Sequence, residues 1–170
     1  MATRKRPTAE DRLETIRVAL GGLAAGADMT DVALLLGALH PRNNTFPAEV
    51  LLELAADALE MSSATREDPI DYEGIRERYL PECHFSGKTD HHKSHYALRS
   101  VAMIRAGLTP DLLDEVTWWR SDDLWTWSWY ALVVFVRVAA ERTGTPVAAI
   151  CEQIAGRHSV DLGPRAGFFD

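Results

Sequence analysis

Apolar residues recur along this chain at spacings of three and four rather than alternately, a period that predicts helices almost throughout. Leu13, Ile16, Leu20 and Leu23 share one face behind Thr8. Asp11 follows Thr8 by three residues, so a first helix is expected over 8–25, stopped by Gly26. Thr30 with Asp31 is expected to open a short helix that runs to Leu39. His40-Pro41 ends it, because a residue before proline is biased away from the helical region. The run Leu34-Leu35-Leu36 implies that this helix is buried on several sides. A third helix, from about Pro47, carries Val50, Leu51, Leu54, Ala58 and Met61 at helical spacing, and 62–67 reads as a surface loop.

Asp68-Pro69 has the cap-then-proline form of a fourth helix start, followed by Ile70, Ile75 and Tyr79 and closed by Pro81. Gly74 weakens that helix by about 1 kcal/mol relative to alanine. Residues 82–88 have no period and read as a loop. Thr89-Asp90 then opens a helix with Tyr96, Val101 and Ile104 that closes at Gly107. Thr109-Pro110 and Thr145-Pro146 are two further starts, the second leading into Val147, Ile150, Cys151 and Ile154 before Gly156. Between them Ser121-Asp122-Asp123 caps a long helix striped by Trp125, Trp129, Leu132, Val133, Val136 and Ala140. Residues 133–138 are so rich in β-branched side chains that a strand competes there. Strand signals elsewhere are too few for a sheet, and no repeat of fixed period occurs. The expected fold is all-α: a single-domain, compact array of seven or eight helices around a buried Trp-rich central helix. Residues 8–158 form the domain, with a flexible tail at 1–7 and another at 159–170.

Composition agrees with one folded core, since 46% of the 170 residues are hydrophobic and 25% charged. A chain of this length buries roughly two-thirds of its unfolded surface without needing a metal or disulfide. With 25 acidic against 18 basic residues the net charge is −7, so nucleic acid and anionic membranes are not expected partners. Arg4-Lys5-Arg6 is the only basic run and lacks the apolar stretch of a secretory signal. Cys83 and Cys151 are far apart and outside any CxxC pair, which fits a reducing, cytoplasmic setting. The apolar run 124–140 contains Arg137 and is too short to span a bilayer of about 20 helical residues, so it reads as a core helix.

Chemistry concentrates in residues 83–95. Four of the six histidines, His84, His91, His92 and His95, fall within twelve residues, beside Cys83, Glu82 and Asp90. On a helix His91 and His95 project from one face at the i, i+4 spacing by which two imidazoles reach one metal ion. His84 or Cys83 could complete a zinc site from the preceding loop, with Glu82 or Asp90 handling protons as in a metal-dependent hydrolase. The zincin pattern H-E-x-x-H is absent, for the segment reads His91-His92-Lys93-Ser94-His95. The plainer reading is a set of exposed histidines on a polar helix start. Cys83 as a nucleophile activated by His84, Lys88 or the helix start is a further option, with no catalytic motif around it.

Gly87-Lys88-Thr89 matches the end of a P-loop, but Glu82 stands where that motif has its first glycine, and a helix rather than a strand precedes it. What remains is an anion site for phosphate or carboxylate, formed by the helix start, Lys88, His91 and His92. All five tryptophans, Trp118, Trp119, Trp125, Trp127 and Trp129, sit within twelve residues. A face of Trp127, Tyr130, Val134 and Arg137 must be covered by the core or by a second copy in a homodimer. Arg137 needs a partner, and Glu141 one turn on is the nearest candidate. Arg120, Asp122 and Asp123 could form a polar site between the tryptophans, but Ser121 followed by two acids is also what a helix N-cap needs, and capping is the preferred reading. No zincin, P-loop, zinc-finger or helix-turn-helix signature extends over more than a few residues. The expected function is a non-enzymatic helical binding or interaction protein, partnered by itself or another protein, with residues 83–95 as its functional surface. A zinc-dependent hydrolase is the alternative.

Overall fold

The computed structural model describes residues 7–40, 45–62, 67–79, 91–108 and 124–163, excepting the side chains of residues 45, 91–93 and 125. Seven helices and no strand occur among them: α1 (Ala9–Ala25), α2 (Met29–Leu39), α3 (Thr45–Met61), α4 (Tyr72–Tyr79), α5 (His91–Arg105), α6 (Leu124–Thr143) and α7 (Val147–Arg157). The start predicted at Thr109-Pro110 and the caps at 121–123 lie outside the described residues.

Local chemistry sets most of the helix ends. Thr8 and Asp11 form a reciprocal capping box: Thr8 Oγ accepts from Asp11 N at 3.1 Å and Thr8 N donates to Asp11 Oδ2 at 2.7 Å. Gly26 closes α1 in the left-handed region at φ 68°, where a side chain would be strained. The second start differs from expectation. Asp28 is the cap, its carboxylate accepting from Thr30 N at 2.8 Å, so Thr30 belongs to the first turn of α2. Asp68-Pro69 is likewise not the start of α4. Asp71 fills that role, accepting from Gly74 N at 3.0 Å, and Gly74 leaves room for the carboxylate that a Cβ would strike. Gly156 lies inside α7, which runs on to Arg157 with His158 as its C-cap; the left-handed residue beyond the cap is Ser159, a non-glycine at φ 57°, and Val160 N donates to Ala155 O at 2.9 Å.

Packing centres on α3 and α6, which share the most extensive interhelical contact. Helix α3 is apolar nearly all round, with Leu51, Leu52, Leu54, Ala55 and Ala58 fully buried. Its one polar stripe is Glu49, Glu53, Asp57 and Glu60. In α6 every residue from Trp127 to Val136 is buried. Residues 133–138 are therefore helical despite their β-branched content: flanked by helix on both sides, all but Arg137 bury their side chains around one helix, and packing overrides propensity. Trp129 Nε1 donates to Met29 O at 3.2 Å, tying α6 to the start of α2. Around this pair α5 packs on both α3 and α6, while α1 packs on α7, α2 and α3. Beyond α7, Val160 is buried and Leu162 packs partly against the core.

Polar bonds secure the periphery. Arg142, in the last turn of α6, donates to Ser62 O at 3.0 Å and ion-pairs with Asp68, holding the α3–α4 connection. His40, capping the C-terminal end of α2, sits edge-on to Phe46 and bonds Thr15 Oγ at 2.8 Å. Thr15 Oγ already donates its proton to Asp11 O, so His40 Nε2 must be the donor to it. Burial lowers the His40 pKa, partly opposed by the Asp11 charge.

The expected burial of α2 on several sides does not hold. Leu36 is fully buried with Val32, but Leu34 is 66% exposed, Leu35 40% and Leu39 38%. The helix meets its neighbours along one face only, and the leucine run simply continues around it. Leu54→Ala in α3 is accordingly expected to lower unfolding free energy by about 2–5 kcal/mol. Leu34→Ala should change it by no more than about 0.5 kcal/mol. Urea denaturation of the two variants checks this difference.

Candidate functional site

Of the residues singled out in the segment 83–95, Glu82, Cys83, His84, Lys88 and Asp90 lie outside the described residues. The backbone of α5 begins at His91 and carries His91, His92 and His95 in its first turns, but only His95 has a described side chain. It is exposed and stands edge-on to Tyr96, ring centroids 6.2 Å apart. Among the described residues no group of three His, Cys, Asp or Glu side chains could hold a metal ion. Cys151 is fully buried.

The tryptophan segment is described in part. Trp118 and Trp119 lie outside the described residues, whereas Trp127 and Trp129 are buried, Trp127 edge-on to Tyr130 at 5.3 Å. The face of Trp127, Tyr130 and Val134 is thus covered within the chain. Glu141, the expected partner of Arg137, is engaged by α4 instead. Arg78 makes a two-pronged pair with it at 2.8 and 2.9 Å, and Tyr79 Oη donates to Glu141 Oε1 at 2.7 Å. The Arg78 guanidinium also lies 5.1 Å from the centre of the Tyr79 ring. Arg137 stands close enough that its charge acts on the Tyr79 phenol.

A mixed-charge cleft of ≈ 280 Å³ opens where α3, the end of α5 and the end of α7 converge. Its α3 wall is Glu53, Asp57 and Glu60, spaced so that all three carboxylates share one face. The rest of the lining is Ala56 of α3, Ile104 and Arg105 of α5, and His158, the C-cap of α7. Arg12 of α1 ion-pairs with Glu53, and His158 Nε2 lies 2.7 Å from Asp57 Oδ2. Arg157 stands 3.6 Å from Asp57 and 3.4 Å from Glu60. Cations from α1 and α7 therefore balance an acidic stripe that would otherwise repel itself. At the top of that stripe desolvation, then the Glu53 charge, raises the Glu49 pKa. The stripe is visible in the sequence as acids at 49, 53, 57 and 60. Its partners are not, because His158 meets Asp57 across 101 residues of chain.

The class these features define is an all-α helical array bearing one described polar cleft and an outward apolar helix face. No helix among the described residues is long and apolar enough to cross a membrane. No protein-family model, curated protein or solved structure matches the chain.

Burial, and then the hydrogen bond to Glu141, pushes the Tyr79 pKa up to about 12 from its ordinary 10.0. The folded state therefore retains a proton that the unfolded state releases, so Tyr79 contributes its full stabilisation below pH 10. That contribution is lost as pH rises from there through about 12. Denaturant unfolding of the native chain and of Tyr79→Phe should show a shallower alkaline loss in the variant.

Proposed function

We propose that the chain is a non-enzymatic helical interaction protein, with tryptophan-bearing α6 as its spine and the outer face of α2 as a recognition surface. The observation that carries this reading is the exposed row Leu34, Leu35 and Leu39, with Ala38 between them on the same face. The occupant that fits is an amphipathic helix of another protein with an apolar stripe and Lys or Arg at its flank. Charge complementarity selects it: Asp31 is the only charged residue within α2, Asp28 caps it, and the chain carries −7. The same charges disfavour a second copy or an anionic membrane.

A helical Leu/Lys peptide titrated against the protein tests this. Leu34→Glu with Leu35→Glu should weaken binding by about tenfold or more. Both substitutions add negative charge, so purely electrostatic binding would instead strengthen and contradict the proposal. Light scattering that finds a dimer, lost in the same variant, would identify a second copy as the occupant and overturn the choice of partner.

Residues 83–95 are the second element of this reading, and zinc is the ligand chemistry proposed for them. Its support is the helical phase of α5, which sets His91 and His95 one turn apart, with His84 or Cys83 as the third ligand. Elemental analysis of tag-free protein soaked in zinc should find about one metal per chain, lost in His95→Ala. Less than about a tenth of a metal per chain removes zinc from the reading and leaves the α2 surface untouched.

A further inference from the structure

We propose that the cleft between α3, α5 and α7 binds a small zwitterion, its carboxylate on Arg105 and its ammonium on Glu60. Arg105 is the observation that leads here. It lines the same cleft as Glu53, Asp57 and Glu60, yet among the described residues it makes neither an ion pair nor a hydrogen bond. A guanidinium on one wall and carboxylates on the other, sharing a cleft but held beyond ion-pair distance, leave a gap with an anion-seeking and a cation-seeking end.

The pairing already present decides which carboxylate is available. Glu53 is taken by Arg12, and Asp57 by His158 at 2.7 Å with Arg157 beside it. Among the described residues Glu60 has only the 3.4 Å contact with Arg157, and its side chain is half exposed at 50%. It is the carboxylate best able to accept a new donor. Arg105, lining the same cleft, offers the planar fork that matches a carboxylate with two parallel hydrogen bonds. Ile104 and Ala56 also line the cleft and give it apolar surface, which suits a short aliphatic connector. A simple anion would face three carboxylates, and a simple amine would face Arg105 unpaired, so a ligand bearing both charges is favoured over either alone. Because both ends are solvent-accessible, affinity on the order of 1 mM is the expected scale.

Straight-chain ω-amino acids of increasing length, titrated by calorimetry, act as a ruler for the gap. One length should bind best, and the plain carboxylate and plain amine of that length should bind about tenfold more weakly. Arg105→Ala should reduce the amino acid to the affinity of the plain amine, and Glu60→Gln to that of the plain carboxylate. Melting temperature checks that each variant keeps its fold. Should Glu60→Gln disturb folding through Arg157, Arg105→Ala, which breaks no described contact, still decides the matter. Three results overturn the proposal: no saturable heat up to about 10 mM, equal binding of the amine and the amino acid, or binding unchanged in Arg105→Ala.

Discussion

The structure depends on one packing constraint, the burial of α3 and α6 against each other. Both helices are apolar on most of their circumference, α3 reaching the surface along its acidic stripe, so the rest of each must be covered. Fully buried Leu51, Leu52 and Leu54 on one and Trp129, Tyr130 and Phe135 on the other supply much of the large-side-chain volume of the core. The remaining helices are placed by what this pair requires: α5 covers both, α1 and α7 cover α3, and α2 reaches α6 where Trp129 bonds Met29 O.

Polar groups on the central pair leave the core only along narrow tracks, and those tracks become the polar features of the surface. The carboxylates of α3 emerge in a stripe balanced by Arg12, Arg157 and His158, which forms one wall of the mixed-charge cleft. Glu141 and Arg142, at the end of α6, emerge together and hold α4 and the chain before it. Helix α2 is the exception, since its inner face satisfies the packing while its leucines continue outward. That outward apolar surface, Leu34, Leu35 and Leu39, is exposed among the described residues, and it carries the proposed interaction.

The sequence was most legible where structure follows from neighbours a few residues apart. Thr8 with Asp11, Gly26 and Gly107 act within one turn, and the predicted ends match the observed ones. Where two caps competed nearby, the choice was not readable: Asp28 and Asp71 won over Thr30 and Asp68-Pro69, each by accepting a backbone N–H from two or three residues on. Periodicity could not distinguish strand from helix at 133–138, because a segment buried on all sides has no polar face to reveal its period. Nor could it show that Leu34 and Leu35 point to solvent. The candidate sites divide in the same way. His91 and His95 are coupled by helical spacing alone. The cleft instead joins Asp57 to His158 and brings Arg105 and Glu60 into one lining, relations created only when three helices pack.

Native-state hydrogen exchange tests the dependence on the α3–α6 pair most directly, because it reads the opening free energy of each helix separately. Amides of residues 50–59 and 128–138 should exchange only through global unfolding, at a common free energy equal to that from denaturant melting. The amides of α2 and α4 should open at lower free energy. Exchange of either central helix well below the global value, or protection of α2 exceeding both, would show that the pair is not what the fold rests on.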